Sequence, residues 1–123
     1  MKKISIIIPL YNLEGLIGKC IASALDQDLP PEEYEVIVVD DGSTDGSLAA
    51  AQRAACGHAN VQVHAKPNEG VSLARNYGTE RAAGRYVMYV DADDYLSPSV
   101  LGGLTQIMDR ERLDICLLYT SPS

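Results

Sequence analysis

Three carboxylates close an apolar run: Tyr86-Val87-Met88-Tyr89-Val90 leads directly into Asp91-Ala92-Asp93-Asp94. Carboxylates this crowded repel one another, and a cation relieves the repulsion. Hard oxygen ligands suit Mg²⁺ or Mn²⁺, ions that bridge to substrate phosphates. A second apolar run, Val36-Ile37-Val38-Val39, ends at Asp40-Asp41, with Asp45 close behind. A third, Ile4-Ser5-Ile6-Ile7-Ile8, ends in Pro9-Leu10-Tyr11-Asn12-Leu13-Glu14. Each stretch alone could be an ordinary solvated turn. Together they offer an aromatic face, hydrogen-bond acceptors and a metal site, which are what a base, a ribose and a diphosphate–metal unit need.

These residues make one site only if their strands run side by side and point the same way. The apolar, β-branched runs at 4–8 and 36–39 read as strands buried on both faces. The run at 86–90 reads as another, and 61–65 as a weaker one. Between them lie helical patterns. Leu16, Ile17, Cys20, Ile21, Ala24 and Leu25 recur at helical spacing, predicting a helix over 14–27. The alanine-rich 47–55 predicts a second, with Thr44 or Asp45 as its cap and Gly57 and Asn60 at its end. A third is expected over 71–83 with Gly84 as its C-terminal cap. A fourth is expected after Ser97-Pro98, with Val100, Leu101, Leu104, Ile107 and Met108 on one face. A fifth strand is expected over 114–118. Strand and helix alternate, so the expected fold is α/β: a doubly wound, mostly parallel, Rossmann-like sheet with helices on both faces. Loops leaving the C-terminal ends of parallel strands share one edge, and ligands bind there where the strand order reverses.

The chain has 123 residues, 46% hydrophobic and 22% charged, enough for one domain or part of one. Its formal net charge is −7, which argues against a nucleic-acid partner. Cys20, Cys56 and Cys116 have no paired spacing and read as free thiols in a reducing compartment. No segment is long and apolar enough to span a bilayer. Residues 1–115 read as the functional part. The segment 116–123, Cys-Leu-Leu-Tyr-Thr-Ser-Pro-Ser, resembles a translated sequencing adapter, so a non-native tail on a reading frame truncated at its C-terminus is expected there.

Several chemistries fit poorly. No G-x-G-x-x-G follows the first strand, and no Walker motif is present. A calcium loop starting at Asp41 would need Glu at its twelfth position, where Gln52 stands. His58 and His64 lie apart from the acids.

Four pieces in order resemble the nucleotide-binding half of the inverting family 2 glycosyltransferases, which have the GT-A fold. They are Ser5 to Glu14 (SIIIPLYNLE), Val38 to Asp45 (VVDDGSTD), Asn68 to Gly78 (NEGVSLARNYG) and Val90 to Asp94 (VDADD). The resemblance is collinear and runs from Lys3 to about residue 112. It implies a UDP-sugar donor, with Pro9 and Tyr11 flanking the uracil, Asp41 accepting a hydrogen bond from the base, and Glu14 reaching the nucleoside. It also implies Mn²⁺ or Mg²⁺ held by Asp93, with Asp91 as a further ligand or nearer the ribose. Asp94 is either another ligand or the acid that favours the next helix. Arg75, four residues into the third helix, is a candidate for the phosphates, with Lys66 and Asn68 weaker ones. The family's general base lies in the second half of its domain, so none is assigned here and the chain alone is expected to transfer no sugar. The acceptor implied is a saccharide or lipid-linked hydroxyl of unspecified identity, in polysaccharide or cell-envelope assembly. The expected location is the cytoplasm, free or peripheral to the inner face of the membrane.

Two other classes share parts of this pattern. A sugar-nucleotide nucleotidyltransferase would want a glycine-rich loop with a basic residue after the first strand. A receiver-like signalling domain would want paired acids there. Leu10 to Glu14 supplies neither.

Overall fold

The computed structural model describes residues 2–111 and the strand at 117–120. Five strands form one all-parallel sheet in the order β3-β2-β1-β4-β5, where β1 is Ile4–Leu10, β2 Tyr34–Asp41, β3 Val61–Lys66, β4 Tyr86–Val90 and β5 Leu117–Thr120. The helices are α1 (Ile17–Leu25), α2 (Ser47–Ala55), α3 (Val71–Glu80) and α4 (Leu101–Arg110). The expected doubly wound α/β architecture is what is found.

Why β1 and β2 sit at the centre follows from their side chains. Every residue of both is buried, so each needs apolar cover on both faces. One face packs Ile4, Ile6, Ile8, Val36 and Val38 under α1, α2 and α4. The other packs Ile7, Ile37, Val39 and Val87 under Ala74 of α3. A Cβ on Gly78 would lie 2.6 Å from Ile7 Cγ2, so α3 can press against the sheet only because that residue has no side chain.

The β1–β2 ladder runs as far as Leu10, whereas the β1–β4 ladder ends at Ile7. Past Ile7, β1 therefore has a neighbour on one side only. Pro9, which cannot donate a ladder hydrogen bond, sits in this stretch paired on one side only. The chain goes from β1 outward to β3, then crosses back to β4 on the other side, so the order reverses between β1 and β4. A crevice is expected at that point.

Several expected details differ. Helix α1 is shorter than 14–27, because Leu16 and Ile17 both donate to Leu13 O in a tight turn before it starts. Helix α3 ends at Glu80, and Gly84 is not its cap. Gly84 instead abuts β1: its amide donates to Ser5 Oγ at 2.8 Å, and a Cβ there would lie 2.6 Å from Ile4 C. Helix α4 begins at Leu101, not at Ser97-Pro98. Its first amides are taken by the loop that follows α1 instead. Val100 N and Leu101 N donate to Gln27 Oε1, and Gly102 N to Asp28 Oδ1 at 2.7 Å. Ile107 is exposed, not on the buried face of α4. The fifth strand is found at Leu117–Thr120; the rest of its expected range, 114–116, lies outside the described residues, as do positions 116 and 121–123 of the expected tail.

Candidate donor-binding site

Where β1 and β4 part, a cleft of about 430 Å³ opens, lined by Pro9, Leu10, Tyr11 and Leu13, by Asp41, by Asn68, Gly70 and Val71, and by Asp91, Ala92 and Asp93. Three strand ends and the loop before α3 thus meet, as the parallel topology requires.

Side-chain alternation separates the two acids that end β2. Asp40 faces the α1 and α2 side, where Ser43 N donates to its Oδ2 at 3.3 Å. Asp41 faces the cleft and is 4% exposed. Its Oδ1 accepts from Glu69 N at 2.9 Å and its Oδ2 from Gly70 N at 3.0 Å, and Lys66 Nζ lies 3.3 Å from Oδ1. Burial pushes this carboxyl up, but the two amides and the ammonium outweigh it and hold Asp41 below the ordinary carboxylate value. Lys66 is held above its ordinary value, by Glu69 first and then by Asp41, against the effect of burial. The loop at 66–70 therefore wraps around Asp41. Asn68 Nδ2 donates to Asp41 O at 2.9 Å, and Gly42, at φ +70°, leaves room for Asn68 where a Cβ would sit 2.6 Å from its amide nitrogen.

A second set of bonds ties the loop after β1 to the loop after β2. Asn12 N donates to Ser43 Oγ, Thr44 N to Asn12 Oδ1, and Leu13 N to Ser47 Oγ, all within 2.9 Å. Asn12 adopts φ +51° to make this turn. Ser47 N and Oγ both donate to Asp45 Oδ1, so Asp45 serves the start of α2 as expected, from one position before the helix's capping residue, Gly46. Tyr11 is left 47% exposed on the rim.

At the far side of the cleft, one carboxylate oxygen from each of Asp91, Asp93 and Asp94 lies within 4.8 Å of the others. Asp93 is exposed, Asp91 half-buried and Asp94 buried. Asp94 Oδ2 is buried with no hydrogen-bond partner among the described residues. Burial, then Asp93 and Asp91, raise its carboxyl above the ordinary value. Three carboxylates on a short loop, one of them with an orphaned oxygen, fit a divalent cation. The same surroundings act on Cys20, which donates to Asp91 O at 3.5 Å. Burial, then Asp94, Asp93 and Asp91, push its thiol up to about 12.

Of the residues singled out from the sequence, Pro9, Tyr11, Asp41, Asn68, Asp91 and Asp93 share the cleft. Glu14 does not line it; its carboxylate lies against Gly46 in the neighbouring loop. Arg75 does not line it either, and its Nη2 is 3.2 Å from Asp91 Oδ1. His64 stacks edge-on against Tyr77, away from the acids. Asn68 and Lys66, the weaker candidates for phosphate, both bond to Asp41, Asn68 from the cleft lining and Lys66 from outside it. Their position was hinted by the turn residues Asn68-Glu69-Gly70, but which acid the turn folds onto depends on strand order.

Comparison with known proteins gives the same answer from several directions. The sequence pattern described as glycosyl transferase family 2 matches residues 5–119. An uncharacterised glycosyltransferase of Bacillus subtilis, EpsJ, is 40% identical over 122 residues, spanning 98% of this chain and 35% of that protein. TarS of Staphylococcus aureus, a poly(ribitol-phosphate) beta-N-acetylglucosaminyltransferase, is 34% identical over 120 residues. The crystal structure of TarS 1–349 in complex with UDP-GlcNAc aligns with a TM-score of 0.83 over 89% of this chain and 32% of that one. The mannosyltransferase PcManGT from Pyrobaculum calidifontis, in complex with GDP-Man and Mn²⁺, aligns with a TM-score of 0.68 over 76% of this chain and 28% of that one, at 32% identity. The chain spans about a third of the length of EpsJ and of the two aligned structures. With the pattern covering nearly the whole chain and the strand ends meeting where its motifs fall, this chain belongs to glycosyl transferase family 2.

Proposed function

We propose that the protein to which this chain belongs transfers a sugar from a UDP-sugar to a hydroxyl acceptor with inversion, and that this chain is its donor-binding part. The observation that carries the reading is the cleft at the β1–β4 parting, with an ionised acceptor, Asp41, on one side and a carboxylate trio on the other. That arrangement suits a nucleotide laid across the strand ends. Tyr11 and Pro9 offer the base a flat apolar wall. Asp41 accepts the imide N–H of uracil. Asp91, Asp93 and Asp94 would hold Mn²⁺ or Mg²⁺ at the diphosphate, where the cation neutralises charge and makes UDP a better leaving group. Arg75 keeps Asp91 in place.

The TarS complex with UDP-GlcNAc supports the choice of a uridine donor; the PcManGT complex, which holds GDP-Man, supports the cation through its Mn²⁺. A hexosyl or hexosaminyl group, and a cell-envelope polymer or other saccharide as acceptor, follow by the same analogy. An inverting transfer also needs a base for the acceptor hydroxyl. The acids lining the cleft are engaged in holding the donor, so we assign that base to a part of the protein outside this chain. Among the described residues no helix is long and apolar enough to cross a membrane.

Calorimetric titration of the chain with UDP, with and without Mn²⁺ and with GDP and ADP as controls, tests the reading. Mn²⁺-dependent binding that prefers UDP and disappears in Asp93→Ala supports it. A folded chain, judged by circular dichroism, that ignores all three nucleotides counts against it.

A further inference from the structure

Behind Asp41 lies a lysine whose ammonium is fully used. The Lys66 side chain, at the end of β3, is 7% exposed, and its Nζ meets Asp41 Oδ1 at 3.3 Å, Glu69 Oε1 at 2.8 Å and Pro67 O at 2.9 Å. An ammonium has three N–H groups, so none is left for a phosphate. Lys66 also does not line the cleft, whereas Asp41 does. An ammonium shielded from water needs paired charge, and of its two acidic partners, Glu69 and Asp41, Asp41 is the one that faces the ligand.

We propose that Lys66 is a positioning residue for the nucleotide base: it pins Asp41 as an ionised acceptor and so makes the cleft selective for a base that presents an imide N–H, as uracil does. The proposal rests on the donor-site reading above. Its chemistry is simple. A carboxylate can only accept, and uracil N3–H donates. Cytosine presents a lone pair at the same place and is repelled. Glu69 N and Gly70 N fix one lone pair on each Asp41 oxygen but bring no full charge. The full charges around Asp41 are Lys66 and Glu69 in its own loop, Asp40 beside it on β2, and Asp91 and Asp93 across the cleft. Four of these five are acids; Arg75 already pairs with Asp91, and among the described residues Lys66 is the cation in contact with Asp41 itself.

The test is calorimetry on the 123-residue chain, as the native sequence, Lys66→Met and Lys66→Arg, with circular dichroism to confirm folding. Each is titrated with UDP plus Mn²⁺ and with inorganic pyrophosphate plus Mn²⁺, a probe that lacks the base. Lys66→Met is expected to weaken UDP about tenfold or more and leave pyrophosphate within about twofold, with Lys66→Arg restoring most of the loss. Equal UDP affinity in folded Lys66→Met overturns the proposal, and so does a parallel fall for UDP and pyrophosphate, which would mark a structural role only. A native chain that binds CDP as tightly as UDP overturns it without any variant. A native chain that binds neither UDP nor pyrophosphate overturns the donor-site reading itself.

Discussion

Arg75 Nη2 lies 3.2 Å from Asp91 Oδ1, joining α3 to the end of β4 beside the cleft. The guanidinium also sits 5.6 Å from the centre of the Tyr89 ring, so the contact is braced from the strand side. Asp91 is 39% exposed at its side chain, and solvent screening limits the pair's worth to folding to about 1 kcal/mol or less. Its value to binding is larger, because it fixes one member of the carboxylate trio. Arg75→Met is expected to lower the melting temperature slightly while weakening UDP–Mn²⁺ about tenfold. A melting shift with unchanged affinity would show the pair to be structural.

Asp41 gives a pH prediction whose sign can be worked out. Its folded value lies below its unfolded one, so it stabilises the chain above about pH 4, and that stability is lost as pH falls through the lower folded value. Asp41→Asn removes the charge that accepts from Glu69 N and Gly70 N, and should cost about 2 kcal/mol at pH 7. Urea denaturation at pH 7 and at pH 3 checks both points. The difference between native and Asp41→Asn should shrink at the lower pH. A constant difference would mean that charge at Asp41 is irrelevant to stability.

Gly78→Ala sets two effects against each other. Alanine gains about 1 kcal/mol over glycine inside a helix. The new Cβ, however, would meet Ile7 Cγ2 at 2.6 Å and Val39 Cγ2 at 3.3 Å, on the face covered by α3. Overpacking a core costs about 1–3 kcal/mol, so net destabilisation is expected, with α3 pushed off the sheet. A denaturation midpoint at or above that of the native chain would show that Ile7 and Val39 yield easily.

Much of this was readable in the sequence, and the reasons are physical. Strands β1, β2 and β4 are buried on both faces, so their apolar runs are unbroken and their acidic ends abrupt. The cleft followed, because parallel strands must bring their C-terminal ends to one edge. What could not be read depends on contacts distant along the chain. Ser97-Pro98 has the local chemistry of a helix start, yet α4 begins at Leu101 because Gln27 and Asp28, more than 70 residues earlier, receive its first amides. Glu14 is close to Tyr11 in sequence but turns toward Gly46, because the Leu13 amide is bound to Ser47. Arg75 has the right helical phase to reach the cleft, and only the folded geometry hands it to Asp91.

That remote cap is itself testable. Gln27→Ala removes the acceptor shared by Val100 N and Leu101 N, and also the donor to Ser97 O at 2.9 Å. Loss of a helix cap costs about 1 kcal/mol. Hydrogen exchange should rise at the first amides of α4 and leave those of α1 unchanged. Equal protection in native and variant would mean that the turn at 95–100 holds the start of α4 without help from the loop after α1.

The buried acid of the trio should trade stability against cation binding. Asp94 Oδ2 has no partner among the described residues, and its carboxyl is raised by burial and then by Asp93 and Asp91. A carboxyl raised in the fold opposes folding once pH passes its unfolded value, with the full penalty present above the folded one. Asp94→Asn abolishes that penalty, and without divalent cation it should raise the melting temperature at pH 7 by about 2–5 °C. With Mn²⁺ the order should reverse. A cation that binds only the folded chain stabilises it by mass action, and the variant has lost one of three ligands. Melting curves of native and Asp94→Asn, recorded in chelator and in a Mn²⁺ series, separate the two effects. If native and variant respond to Mn²⁺ alike, Asp94 is no ligand. If Asp94→Asn also melts lower in chelator, the buried oxygen has a favourable role without any cation.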